Sequence, residues 1–120
     1  MIVDLSFNFG LAIVQFTDEL QSRRKFAVAN QLLRSGTSVG ANIWESQNAE
    51  SKRDFIHKLK IAAKEGEETE YWLLLCKHSA NYPNPGELLG TLSSINKILN
   101  KIITTSKKKV NEEPETKKPI

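Results

Sequence analysis

The sequence predicts an all-α fold, an antiparallel up-down-up-down four-helix bundle, on three observations. Apolar residues recur at three-to-four spacing in four separate segments. No alternating apolar–polar run of useful strand length occurs anywhere in the 120 residues. The breaks between segments are short, and short connections between long amphipathic helices make sequential neighbours antiparallel. A chain of this length is one domain with a single modest core. The bundle is expected over residues 1–106 and a disordered tail over 107–120.

The first helix runs from about Leu5 to Ser22, with Leu5, Phe9, Ala12, Phe16 and Leu20 as its inward stripe. Arg23, Arg24 and Lys25 close it, placing cations at the negative end of the helix dipole. The second runs from about Ala27 to Ser46 and contains RSGTSVGANIWES, residues 34–46. Ser35, Gly36, Thr37, Ser38 and Gly40 all weaken a helix, a glycine by about 1 kcal/mol relative to alanine. One reading is a continuous helix whose stripe, Leu32, Ser35, Val39 and Asn42 backed by Gly36 and Gly40, lets another backbone come close. The other is a break near Gly36 or Gly40.

The third helix, Ser51 to about Ser79, is the longest, reaching about 40 Å at 1.5 Å per residue. Ser51 is its cap, with Asp54 three residues on as a variant capping box. Its inward stripe is Phe55, Leu59, Ala62, Gly66, Thr69, Leu73 and Cys76, small in the middle like that of the second helix. NYPNPGE (81–87) breaks the chain, with Asn84 as an N-cap, Pro85 at the first helical position and Glu87 three after the cap. The fourth helix carries Leu88, Leu92, Ile95, Leu99 and Ile102 in 4-3-4-3 spacing. KKKVNEEPETKKPI (107–120) has two prolines, eight charges and little to bury, hence the tail.

Apolar residues make up 39% of the chain and charged residues 26%, and no apolar run approaches the roughly 18 residues of a membrane span. MIVDLSFNFG has neither a basic start nor a small-residue cleavage site, so no signal peptide is expected and the expected location is the cytoplasm. Cys76 stands alone, which excludes an internal disulfide and a Cys-rich metal site. The net charge of +3 is distributed unevenly: residues 1–50 hold four basic and five acidic side chains, 51–106 eight and six, 107–120 five and three. This mild basic excess permits contact with nucleic acid without demanding it.

An enzyme fares badly against the residue inventory. The two histidines, His57 and His78, lie about six turns apart on one helix, and only Asp54–His57 approximates half of a di-iron pair. Glu65, Glu67, Glu68 and Glu70 scatter around the helix instead of converging; Glu70 borders the core stripe, where Asn42 or Ser38 of the second helix is a candidate structural partner. There is no phosphate-binding glycine loop and no nucleophile motif. Cys76 on the inward stripe is a packing residue. No cofactor is expected.

Two other faces of the third helix remain. Ile61, Trp72 and Leu75 form an apolar patch more than 90° from the core stripe; either it is a subunit interface, since Trp is enriched there, or the first helix or the tail covers it. Arg53, His57, Lys60 and Lys64, spaced 4-3-4, line a ridge able to follow a phosphate backbone, with Tyr71 beyond them as a stacking surface. The competing reading is a solvated face with local pairs such as Lys64–Glu68.

The stretch SGTSVGANIWESQNAESKRDFIHKLKIAAKEGEETEYWLLL resembles the four-helix bundle proteins encoded in intervening sequences of bacterial 23S rRNA genes, often described as ribosomal-protein-like. The second-helix pattern S-x-x-A-N-I-x-E is here Ser38, Ala41, Asn42, Ile43 and Glu45. The charged SKRDFI follows, then K-E-x-x-E-T-x-Y-W-L as Lys64, Glu65, Glu68, Thr69, Tyr71, Trp72 and Leu73. The resemblance covers roughly residues 5–106; Trp44 and Ser46 depart from it, standing where relatives carry smaller residues or glycine. It implies a continuous second helix, association into homopentameric rings, and a role like that of the accessory subunits of retroelement reverse transcriptases, whose basic surface engages nucleic acid.

The combined expectation is a non-enzymatic, homo-oligomeric protein that binds structured RNA or RNA–DNA hybrids, with a reverse transcriptase or a ribosomal component as a candidate partner. Arg53, His57, Lys60 and Lys64 would contact phosphates, Arg23, Arg24 and Lys25 would form a second cluster, and Lys107 to Lys109 would add a flexible arm. Ile61, Trp72 and Leu75 would form the oligomer interface. The alternative is a scaffold whose Trp72 patch recruits an enzyme without touching nucleic acid.

Overall fold

The four periodic segments fold as four α-helices: α1 (Ile2–Ser22), α2 (Phe26–Ser46), α3 (Lys52–His78) and α4 (Leu88–Asn111). The computed structural model describes residues 1–111. The expectation of disorder over 112–120 lies outside the described residues. Each helix packs against the one before and after it, α4 closes on α1, and the diagonal pairs make no close backbone approach. The result is a four-helix bundle measuring 59 × 22 × 20 Å. Cross-helix partners such as Arg34 with Glu65 and Lys58 with Glu45 run in opposite chain directions, so α2 and α3 are antiparallel.

The small-residue stretch is helical throughout, and its polar side chains are satisfied locally. The hydroxyls of Thr37 and Ser38 donate to the carbonyls of Leu33 and Arg34, each at 2.6 Å, one turn back along α2. What the small residues gain is proximity. A Cβ on Gly36 would lie 2.8 Å from Ile13 Cγ2, and one on Gly40 would lie 3.0 Å from the Ser6 carbonyl oxygen, so α1 rests directly on the α2 backbone. On the other side, the buried hydroxyls of Ser35 and Thr69 share a hydrogen bond of 3.0 Å between α2 and α3. A Cβ on Gly66 would sit 2.5 Å from Asn96 Oδ1, bringing α4 equally near α3.

The inward stripes differ from expectation by one position in each helix. Ile13 replaces Ala12, Ile43 replaces Asn42, Ile56 replaces Phe55 and Ile103 replaces Ile102 as the buried residue. A 4-3-4-3 pattern averages 3.5 residues per turn, and a helix of 3.6 drifts about 20° per heptad. In α4 the last step is accordingly four residues, from Leu99 to Ile103.

Two boundaries also move. Ser51 Oγ accepts from the Asp54 amide at 3.0 Å while Asp54 accepts from the Glu50 amide at 3.1 Å, a reciprocal cap as expected. Asn84, in contrast, is not a helix cap. Its Oδ1 accepts from the Gly86 amide at 2.7 Å in a local turn, Gly86 takes a φ of +58°, and α4 begins only at Leu88. At its far end α4 continues past Ser106 to Asn111, because Val110 still packs on the core. Lys107 to Lys109 are therefore helical.

Candidate nucleic-acid interface

The capped start of α3 fixes Arg53, His57 and Lys60 on its outer face, and the last turn of α4 runs alongside in the opposite direction. A cleft of about 310 Å³ opens between them, lined by Arg53, Ile56, His57, Lys60, Lys107, Val110 and Asn111. Ile56 and Val110 form an apolar floor; among the described residues, every ionisable group in the lining is basic. The Lys107 amine beside Lys60 holds the Lys60 pKa below the ordinary lysine value, first through a side-chain hydrogen bond and then through charge repulsion.

Ion pairing sets these cations apart from Arg23, Arg34 and Lys58, which each engage a carboxylate. Arg34 binds Glu65 at 3.1 Å and also Glu68, Lys58 binds Glu45 at 3.0 Å, and Arg23 binds Glu19 at 2.8 Å. The Glu45 carboxylate raises the Lys58 pKa, by its hydrogen bond and then by its charge. Among the described residues, Arg53, His57, Lys60, Lys64 and Lys107 enter no ion pair. Glu68, the expected local partner of Lys64, is engaged by Arg34 and by Trp72 Nε1, which donates to it at 3.0 Å. Lys64 stands exposed one turn beyond Lys60, outside the cleft on the same ridge.

Arg23, Arg24 and Lys25 do not join this group. They connect α1 to α2 at the other end of the bundle, about 35–40 Å away along α3. Arg24 adopts a left-handed φ of +64°, and the Lys25 ammonium lies 4.8 Å from the centre of the Tyr82 ring. The structure gives them work in turning the chain and docking the 79–87 connection.

Glu70 is exposed and bonds neither Asn42 nor Ser38; Asn42 Nδ2 donates instead to the Ser38 carbonyl at 2.9 Å. Trp72 packs in part against the protein's own core and Ile61 is half-buried, leaving Leu75, with Tyr71 and Leu74, as the exposed apolar part of that side. A larger apolar surface lies elsewhere. Phe7, Leu11 and Val14 of α1 and Trp44 of α2 line an open groove of about 450 Å³, floored by Gly10, Gly40 and Ala41, with the Phe7 and Trp44 rings 6.1 Å apart. Phe7, Leu11 and Val14 make a second 4-3 stripe on the first helix, a signal that a one-stripe-per-helix reading passes over. Among the described residues no three His, Cys, Asp or Glu side chains gather as a metal site, and no helix is long and apolar enough to cross a membrane.

A family model described as 23S rRNA-intervening sequence protein matches residues 1–104. Among solved structures, the chain is similar to a protein of unknown function from the S23 ribosomal protein family of Bacteroides thetaiotaomicron. The two are 42% identical with a TM-score of 0.81, over 86% of this chain and 98% of that one. No curated protein matches.

Proposed function

This chain belongs to the 23S rRNA-intervening sequence protein family, and from that premise we propose that it is a non-catalytic, homo-oligomeric accessory protein that binds structured RNA or RNA–DNA hybrids. The observation that carries this reading is the convergence of Arg53, His57, Lys60 and Lys107 on one cleft whose described lining holds no acidic side chain, extended along the ridge by Lys64. Cations free of internal partners are available to displace counterions from a phosphate backbone, and each such contact adds a sequence-independent increment of affinity. A ring of five copies, the arrangement the resemblance implies, multiplies the ridge and suits a cytoplasmic partner such as a reverse transcriptase or a ribosomal component.

Titrating a fluorescent RNA hairpin at several salt concentrations tests it. The double variant Lys60→Glu/Lys64→Glu is expected to weaken binding at least ~10-fold and to flatten the log–log salt slope by about 2. Unchanged affinity and slope would favour the second reading, a protein-interaction scaffold. The apolar groove between α1 and α2, with Phe7, Leu11 and Trp44 exposed at its rim, is the observation that favours it.

A further inference from the structure

Resting on the nucleic-acid reading above, we propose that the cleft between α3 and the end of α4 is a discrete phosphate-ester site. In it Lys60 and Lys107 straddle one phosphate, and the floor of Ile56 and Val110 receives the attached nucleoside. The ridge alone would be a featureless line of charge; the cleft is more than that. Its two lysines come from different helices, 47 positions apart in sequence, and are held side by side by the packing of α4 on α3. Two like charges so placed repel each other, and an anion between them converts that repulsion into two attractions. Among the described residues no carboxylate lines the cleft to do the same internally.

Size and polarity extend the assignment beyond an inorganic ion. At about 310 Å³ the cleft lies at the lower end of the ~300–1,000 Å³ range of small-molecule sites, with space for a nucleoside beside its phosphate. Ile56 is buried and Val110 half-buried, an apolar base suited to a sugar or base face. The Asn111 carboxamide at the rim supplies both a donor and an acceptor. The phosphate ester would come either from one nucleotide within an RNA strand or from a free nucleoside monophosphate.

The experiment uses the full chain with ¹⁵N- and ¹³C-labelled lysine, titrated with inorganic phosphate, uridine 5′-monophosphate and uridine, alongside the RNA hairpin. Inorganic phosphate and the nucleotide are expected to shift the Lys60 and Lys107 side-chain signals, the nucleotide binding at least ~3-fold more tightly, while uridine shifts neither. Lys107→Gln should weaken both nucleotide and hairpin binding ~3- to 10-fold, and Lys108→Gln, next in sequence but outside the cleft, should weaken neither. Equal losses in the two variants, or no response of Lys60 and Lys107 to phosphate, would overturn the site. Hairpin binding that neither shifts the Lys60 and Lys107 signals nor weakens in Lys107→Gln overturns this site and leaves the RNA reading standing. Nucleotide binding without hairpin binding supports the site and overturns the RNA reading.

Discussion

Gly36 and Gly90 are both helical glycines, yet their surroundings assign them opposite roles. Nothing lies within 4 Å of where a Gly90 Cβ would project, whereas a Gly36 Cβ would meet three atoms of the fully buried Ile13 side chain at 2.8–3.0 Å. Ile13 is β-branched and enclosed, so it has few rotamers with which to yield. Gly90→Ala should therefore raise stability by about 0.5–1 kcal/mol through helix propensity. Gly36→Ala should lower it by about 1–3 kcal/mol, overpacking outweighing the same propensity gain. Urea denaturation of the two variants checks the sign of each. Cys76 allows a different check. Its thiol is buried and desolvation pushes its pKa up to about 11, so near neutral pH almost no thiolate is present to react. At pH 8 the native protein should react with a disulfide reagent only as fast as it opens, and addition of urea beyond the unfolding midpoint should release the thiol at once. Rapid labelling of the native state would contradict the burial.

At the scale of helices, the existence, order and direction of all four elements were readable from periodicity because one apolar stripe per helix is what a bundle core requires. The third-helix cap was readable for a comparable reason: Ser51 and Asp54 act within one turn, so sequence distance equals spatial distance. What escaped depends on contacts between elements. Asn84 has the composition of an N-cap, but Pro83 and Pro85 are buried in the connection and the side chain turns to Gly86 instead. Residues 107–111 look like tail by charge, yet Val110 reaches the core and holds their turn in place. The packing of this last turn of α4 on α3 places Lys107 beside Lys60, so half of the candidate site was legible on the third helix and the other half lay in a segment whose composition reads as tail. Two truncations separate the parts. Ending the chain after Asn111 removes residues 112–120, whose three acidic and two basic side chains sum to −1, and should leave hairpin binding intact. Ending it after Ser106 also removes Lys107 to Lys109 and should weaken binding ~10-fold, with the bundle still folded because Ile103 is the last buried residue. Equal losses would place the contact in residues 112–120.

For the whole molecule, the question is how copies of the bundle would meet. Among the described residues, two clusters of exposed apolar side chains are unlike: the groove of Phe7, Leu11, Val14 and Trp44 between α1 and α2, and the outer side of α3 at Tyr71, Leu74 and Leu75. A two-fold dimer needs one surface that matches itself, whereas a head-to-tail contact between unlike surfaces builds a ring when the rotation closes. In the proposed oligomer the α3 side of one copy would enter the groove of the next. Leu11→Glu and Leu75→Glu each introduce a charge into a desolvated contact, and each should reduce the assembly to monomers in sedimentation velocity. Mixing them is the sharper measurement. Each variant keeps one intact surface, so the Leu75 side of the first fits the groove of the second, and the mixture should form one-to-one heterodimers that grow no further. An isologous interface predicts the reverse, because a surface paired with itself, or with its damaged copy, is not repaired by mixing. Monomers throughout the mixture would rule out the head-to-tail ring, and with it the summation of ridges that a symmetric assembly would bring to an RNA.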